Sequence, residues 1–100
     1  MPYSDPAQQR EAQAAHQRRK KLKCIEFLRA HKESKPCADC GVKHPYYVMQ
    51  LDHVRGTKVA DLSTLKASGH MAGMIRELEK CDLVCANCHA TRTWRRAIRA

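Results

Sequence analysis

Cys81-Asp82-Leu83-Val84-Cys85-Ala86-Asn87-Cys88-His89 decides how the rest of the chain is read. A short apolar run leads into a Cys-x-x-Cys pair, and a histidine follows at once. Upstream lies a matching pair, Cys37-Ala-Asp-Cys40, followed by Gly41. Two residues between cysteines let one tight knuckle present both sulfurs to a single ion. Cys37, Cys40, Cys85 and Cys88 together make a closed tetrahedral sulfur set, typical of structural zinc, with no position left for a substrate. An ion there ties residues 41–84 into a loop at its base. Binding of this kind contributes ~10 kcal/mol or more of apparent free energy, comparable with the whole stability of a small domain.

Such a staple is needed. One hundred residues make one small domain, and the large apolar side chains are few: one Phe, one Trp and three Tyr. The 43% hydrophobic fraction leans on Ala and Cys, and a core this modest requires disulfides or a metal. The start, Met1-Pro2-Tyr3-Ser4-Asp5-Pro6, does not read as a signal peptide. Metal spacing and a reducing, cytoplasmic compartment are therefore expected, with Cys24 and Cys81 as buried free thiols. No apolar run approaches the roughly 20 residues that span a bilayer. The net charge is +9, from 19 Lys+Arg against 10 Asp+Glu, and loading four thiolates with zinc lowers it only to about +7. Such an excess points to a polyanionic partner without distinguishing DNA, RNA or an anionic membrane.

Along the chain, Asp5 is placed to cap a helix with Pro6 at its first position and Gln8 as capping partner. One helix is expected from there to about Glu33, with a polar, fraying first half. Leu22, Ile25, Phe27 and Leu28 should dock its second half. Pro36 ends it. A strand is expected over 46–52, broken by Arg55-Gly56, and a helical turn over 61–67. Met71, Met74, Ile75 and Leu78 mark the core side of a helix over 71–80. Leu83-Val84 should form a short strand, and a last helix runs from Ala86 to about Arg99.

A second set of chemically capable residues is Asp52, His53 and His89. A carboxylate can hold a hard divalent cation while a neighbouring imidazole takes a proton from water. Adjacent strand residues point to opposite faces, so Asp52 and His53 share one site only where the strand ends and turns. On the last helix, Cys88 and His89 project about 100° apart, so one can face the zinc and the other a different ion.

In this order, Cys37-Ala-Asp-Cys40-Gly41, Leu51-Asp52-His53-Val54 and Cys81 to His89 resemble the HNH endonucleases, members of the ββα-metal nucleases. The resemblance covers about residues 35–95 and is to small, stand-alone bacterial and phage proteins. It implies an α+β fold with a small ββα-metal core stapled by the four-cysteine zinc, preceded by the long N-terminal helix. It further implies His53 as general base and Asp52 and His89 as ligands of a catalytic Mg²⁺, Mn²⁺ or other divalent ion. Two positions depart from the family: Lys80 stands where a middle Asn is usual, and Thr93 stands where a second metal-binding His can follow.

The expected units are residues 1–34, a basic helix, and residues 35–100, the nuclease domain. The expected function is metal-dependent nicking of DNA by a His-activated water, in a bacterial or phage-infected cytoplasm. Double-stranded DNA is the expected partner, with no membrane; a homodimer and a phage complex both stay open. The alternatives are a non-catalytic zinc module that binds nucleic acid or protein, and a nuclease subunit of a larger phage assembly. Arg18, Arg19, Lys20, Lys21, Lys23 and Lys80 are expected to contact phosphates, as are Arg92, Arg95, Arg96 and Arg99 at i, i+3, i+4, i+7 spacing. Trp94 is expected to pack. His16, His31, His44 and His70 are expected at the surface or in packing.

Overall fold

The computed structural model describes residues 5–99, so residues 1–4 and 100 of the two expected units lie outside the described residues. Helix α1 runs Pro6–Glu33, followed by strand β1 (Met49–His53), helices α2 (Leu62–Ser68) and α3 (Met71–Leu78), strand β2 (Cys81–Cys85) and helix α4 (Ala86–Arg99). The fold is α+β: helices around one two-stranded antiparallel sheet, with a cysteine cluster at one end of it.

α1 begins where its cap demands. The Asp5 carboxylate accepts from Ala7 N–H at 3.0 Å and Pro6 follows at the first helical position. The helix is continuous from there to Glu33. Its 28 residues span about 42 Å, and it stays exposed over most of its first two-thirds. Only Cys24 and Leu28 are buried on it, against Met74 and Leu78 of α3. This corrects the expected docking side. Residues four apart share a helix face, whereas Leu22 and Phe27 lie about 200° and 100° from that line and remain 56% and 39% exposed.

A second contact fixes the middle of α1. Gln17 Nε2 donates to the Ser68 carbonyl at 2.6 Å. Gly69, which ends α2 with φ +70°, lets Lys20 approach so closely that a Cβ there would lie 2.7 Å from Lys20 Cβ. α3 then starts with His70 as its cap: the ring Nδ1 accepts from Gly73 N–H at 2.9 Å. The helix ends at Leu78, two residues before the expected limit, and Lys80 already leads into β2.

β1 is displaced from the expected strand. Tyr46 to Val48 form a turn, in which Val48 N–H donates to the Pro45 carbonyl at 3.0 Å and Met49 N–H to Tyr46 at 3.2 Å. Proline's fixed φ favours a turn just there, and Tyr46 instead receives the Arg29 guanidinium over its ring, 4.3 Å from the centroid. The ladder pairs Met49 with Cys85, Asp52 with Asp82 and His53 with Cys81, so β2 is also longer than the Leu83-Val84 pair. Met49, Leu83, Val84, Cys37 and Cys85 form one buried cluster; Cys24, Leu28, Met74 and Leu78 form the other, and Leu51 packs against both. The core methionines are thus Met49 and Met74, with Met71 at the margin. Ile75, expected in the core stripe, is 39% exposed, whereas Glu77 is 2% exposed.

Candidate functional site

The sulfur cluster arises because β2 passes into α4 without a loop. Cys85 closes the strand, Cys88 sits in the first helical turn, and the 37–40 knuckle is held beside them by Ala38 N–H donating to the Leu83 carbonyl at 2.9 Å. The four ligand atoms lie within 4.8 Å of one another, and Cys40 Sγ is 4.0 Å from Cys85 Sγ. Tetrahedral zinc with its usual sulfur bond lengths sets such separations at about 3.8 Å, so the donors fit a structural zinc ion. Backbone amides already favour thiolate: Cys85 N–H points to Cys37 Sγ at 3.3 Å and Cys88 N–H to Cys85 Sγ at 3.5 Å. Burial works to raise Cys37, but the amides of Cys40, Cys85 and Asp39 overcome it and bring the thiol to about 6. Cys88 is pushed up to about 12, first by its contact with Cys85. Sulfurs this crowded do not all ionise without a cation among them. Among the described residues no other group of three or more His, Cys, Asp or Glu gathers in this way. Cys24 and Cys81 are buried thiols as expected, and burial raises Cys81 to about 11.

Asp52 and His89 meet on the α4 side of the sheet. His89 follows Cys88 by about 100° of helix, which turns it from the sulfurs toward β1. Its Nε2 lies 3.8 Å from Asp52 Oδ1, and its Nδ1 is hydrogen-bonded to Gln50 Oε1. Gln50 and Asp52, two apart on a strand, share that face. Asp52 is 4% exposed, and its oxygens are filled by arginine. Arg96 Nη1 donates to Oδ1 at 3.0 Å and Nη2 to Oδ2 at 2.7 Å, while Arg92 Nη1 donates to Oδ2 at 2.9 Å. Arg96 first, then Arg92, hold the Asp52 carboxyl down at about 2 against the burial that works to raise it.

Arg92 also links this carboxylate to the sulfur knuckle. It forks onto Asp39, between the first two cysteines, at 2.6 Å through both Nε and Nη2, and reaches Asp82 at 3.1 Å. Asp82 stands directly across the ladder from Asp52. Like charges placed so repel, and the guanidinium between them relieves this.

His53 projects the other way. It is still within the ladder, opposite Cys81, so the chain has not turned where Asp52 and His53 were expected to converge. His53 Nε2 lies 3.3 Å from Glu77 Oε1 on α3. The Lys80 ammonium donates to Glu77 Oε2 at 2.6 Å and to the Thr57 carbonyl at 2.7 Å. These are internal bonds of a side chain expected at a phosphate. A cleft of about 610 Å³ opens here, lined by Arg55, Gly56, Arg76, Glu77 and Lys80 among others.

Of the expected basic stripe, Arg92, Arg95, Arg96 and Arg99 do line one shallow depression, but Arg92 and Arg96 are engaged with carboxylates. Arg18, Arg19, Lys20, Lys21 and Lys23 are exposed on α1. Trp94, expected to pack, is 62% exposed, because α4 meets the sheet through its Cys88, His89 and Arg92 side. His16 is exposed, His31 and His44 half-buried, and His70 is the α3 cap. No family model, curated protein or solved structure matches this chain.

Four participants were missed in the sequence: Glu77, Gln50, Asp39 and Asp82. Glu77 left a signal, since it falls three residues after Met74 and one before Leu78 on an otherwise apolar helix side. Gln50 was legible from strand alternation with Asp52. Asp39 and Asp82 needed the ladder register and the α4 packing before their common partner, Arg92, became visible.

Proposed function

We propose that this chain is a zinc-stapled nuclease of the HNH type, hydrolysing phosphodiester bonds of DNA with the help of one divalent ion. The observation that carries the reading is the Asp52–His89 approach of 3.8 Å beside the sulfur cluster, with His53 next in the strand and held by Glu77 on the sheet's other face. One carboxylate and one imidazole suit a divalent ion, although its entry requires Arg96, which is half-exposed, to give up Asp52. Bound there, such an ion supplies positive charge to the departing 3′ oxygen. His53 accepts the proton of the attacking water, and the exposed cations of α1 and α4 hold the phosphate backbone.

Plasmid nicking with Mg²⁺ or Mn²⁺, on DNA and with RNA in parallel, tests the reading. The wild type should nick and a folded His53→Ala protein should lose most of that activity, about 100-fold or more for a general base. Undiminished nicking by His53→Ala would falsify the assigned base. A second reading has one observation in its favour: Asp52 already has its lone pairs taken by Arg92 and Arg96. In a non-catalytic zinc module that binds nucleic acid, that cluster would simply brace α4 against the sheet. Binding without nicking under every ion would select it.

A further inference from the structure

Glu77 is a buried carboxylate on a helix side otherwise made of Met74 and Leu78, and apolar packing does not account for it. Three segments converge on it. Its Oε1 accepts from Val59 N–H at 3.1 Å and lies 3.3 Å from His53 Nε2; its Oε2 accepts from Lys80 Nζ at 2.6 Å. Lys80, followed by the Val59 amide, holds the carboxyl at about 2 against burial, so it is ionised across the working range. An ionised carboxylate only accepts hydrogen bonds. In its neutral form His53 therefore has its proton on Nε2 in this pair, which leaves the lone pair on Nδ1.

We propose that Glu77, clamped by Lys80, is the positioning residue for His53: it fixes the ring and its tautomer so that Nδ1 is the atom that accepts the water proton. This rests on the nuclease reading above. In the step itself the water oxygen bonds to phosphorus as its proton passes to Nδ1. The bond from phosphorus to the 3′ oxygen breaks, and that oxygen leaves with the electron pair and is protonated by solvent. Lys80 thus supports the base through a side-chain carboxylate. If Glu77 served only to tie the 57–59 loop, the tautomer of His53 would be indifferent to it.

The test uses the full-length, zinc-loaded chain, with imidazole ¹⁵N NMR beside nicking kinetics. Wild-type His53 should show a protonated Nε2 and a bare Nδ1. Glu77→Gln should mix or reverse that tautomer and lower kcat about 10–100-fold, the range for losing a partner of a functional histidine. KM, zinc content and circular dichroism should stay unchanged, and Glu77→Asp should recover part of the rate. Should Glu77→Gln fold poorly, Glu77→Asp, which keeps the charge but shortens the reach to His53, carries the same test of tautomer and kcat. A protonated Nδ1 in the wild type, or a tautomer and kcat that do not move in a folded variant, overturns the proposal. A wild type that never nicks overturns the nuclease reading instead, while the NMR still decides whether Glu77 orients His53.

Discussion

Asp52 is where the competing demands on this molecule meet, since two guanidiniums and one imidazole share a single carboxylate. Its carboxyl sits at about 2 where 3.8 is ordinary, with Arg96 the first cause. The native state thus binds that proton less readily than the unfolded chain, and the resulting stabilisation is complete above pH ~4 and disappears as pH falls toward 2. Replacing Arg96 with Ala should raise the Asp52 carboxyl toward its ordinary value in a ¹³C titration; an unmoved midpoint would remove Arg96 as the cause. The same variant should bind Mn²⁺ at least about tenfold more tightly by calorimetry, since two charge-assisted hydrogen bonds to Asp52 are released. Equal affinity would mean that guanidinium and ion do not compete. At this scale the letters Asp, His and Cys were legible because their chemistry is local. Their arginine partners were not, because Arg92 and Arg96 read equally well as a solvated, phosphate-binding stripe until α4 is laid on the sheet.

Between elements, the molecule depends on how α1 crosses the α2–α3 corner. Gly69→Ala would force a left-handed backbone on a residue with a side chain and drive its Cβ against Lys20. The expected loss exceeds ~1 kcal/mol in urea unfolding, and an unchanged midpoint would show that α1 yields at that crossing. Met74→Ala, at a fully buried position, should cost about 2–5 kcal/mol. Helices were the most legible elements, because caps, Pro36 and the 3.6-residue period all act locally: α4 was placed as it is found, and α1 within a residue. β1 was read three residues early since Tyr46-Tyr47-Val48 have strand-like side chains. The turn after Pro45 outweighs that preference, and the strand finds its register only against β2. Glu77 escaped the helix reading for a related reason: its partners His53 and Val59 come from other segments.

For the whole molecule, zinc is expected to be the condition for folding around the sheet, since two of the five residues in one buried cluster are sulfur ligands. Chelation should abolish cooperative melting by circular dichroism while leaving some helix signal, with one zinc released per chain by elemental analysis; a metal-free chain that melts unchanged would refute this. The charge excess makes its own prediction. Substituting Gln for Lys20, Lys21 and Lys23 should weaken duplex binding at all sequences alike and flatten the log–log salt slope by about 0.9 for each lost phosphate contact. Composition and spacing made the cysteine staple legible, whereas the outline of the molecule was not. That outline measures 60 × 29 × 17 Å with a radius of gyration of 17.6 Å, against about 13 Å for a compact chain of this length. A particle so drawn out rotates faster around its long axis than end over end. Amide ¹⁵N relaxation in the first helix, whose N–H vectors run along its axis, should therefore diverge systematically from that in the hairpin strands.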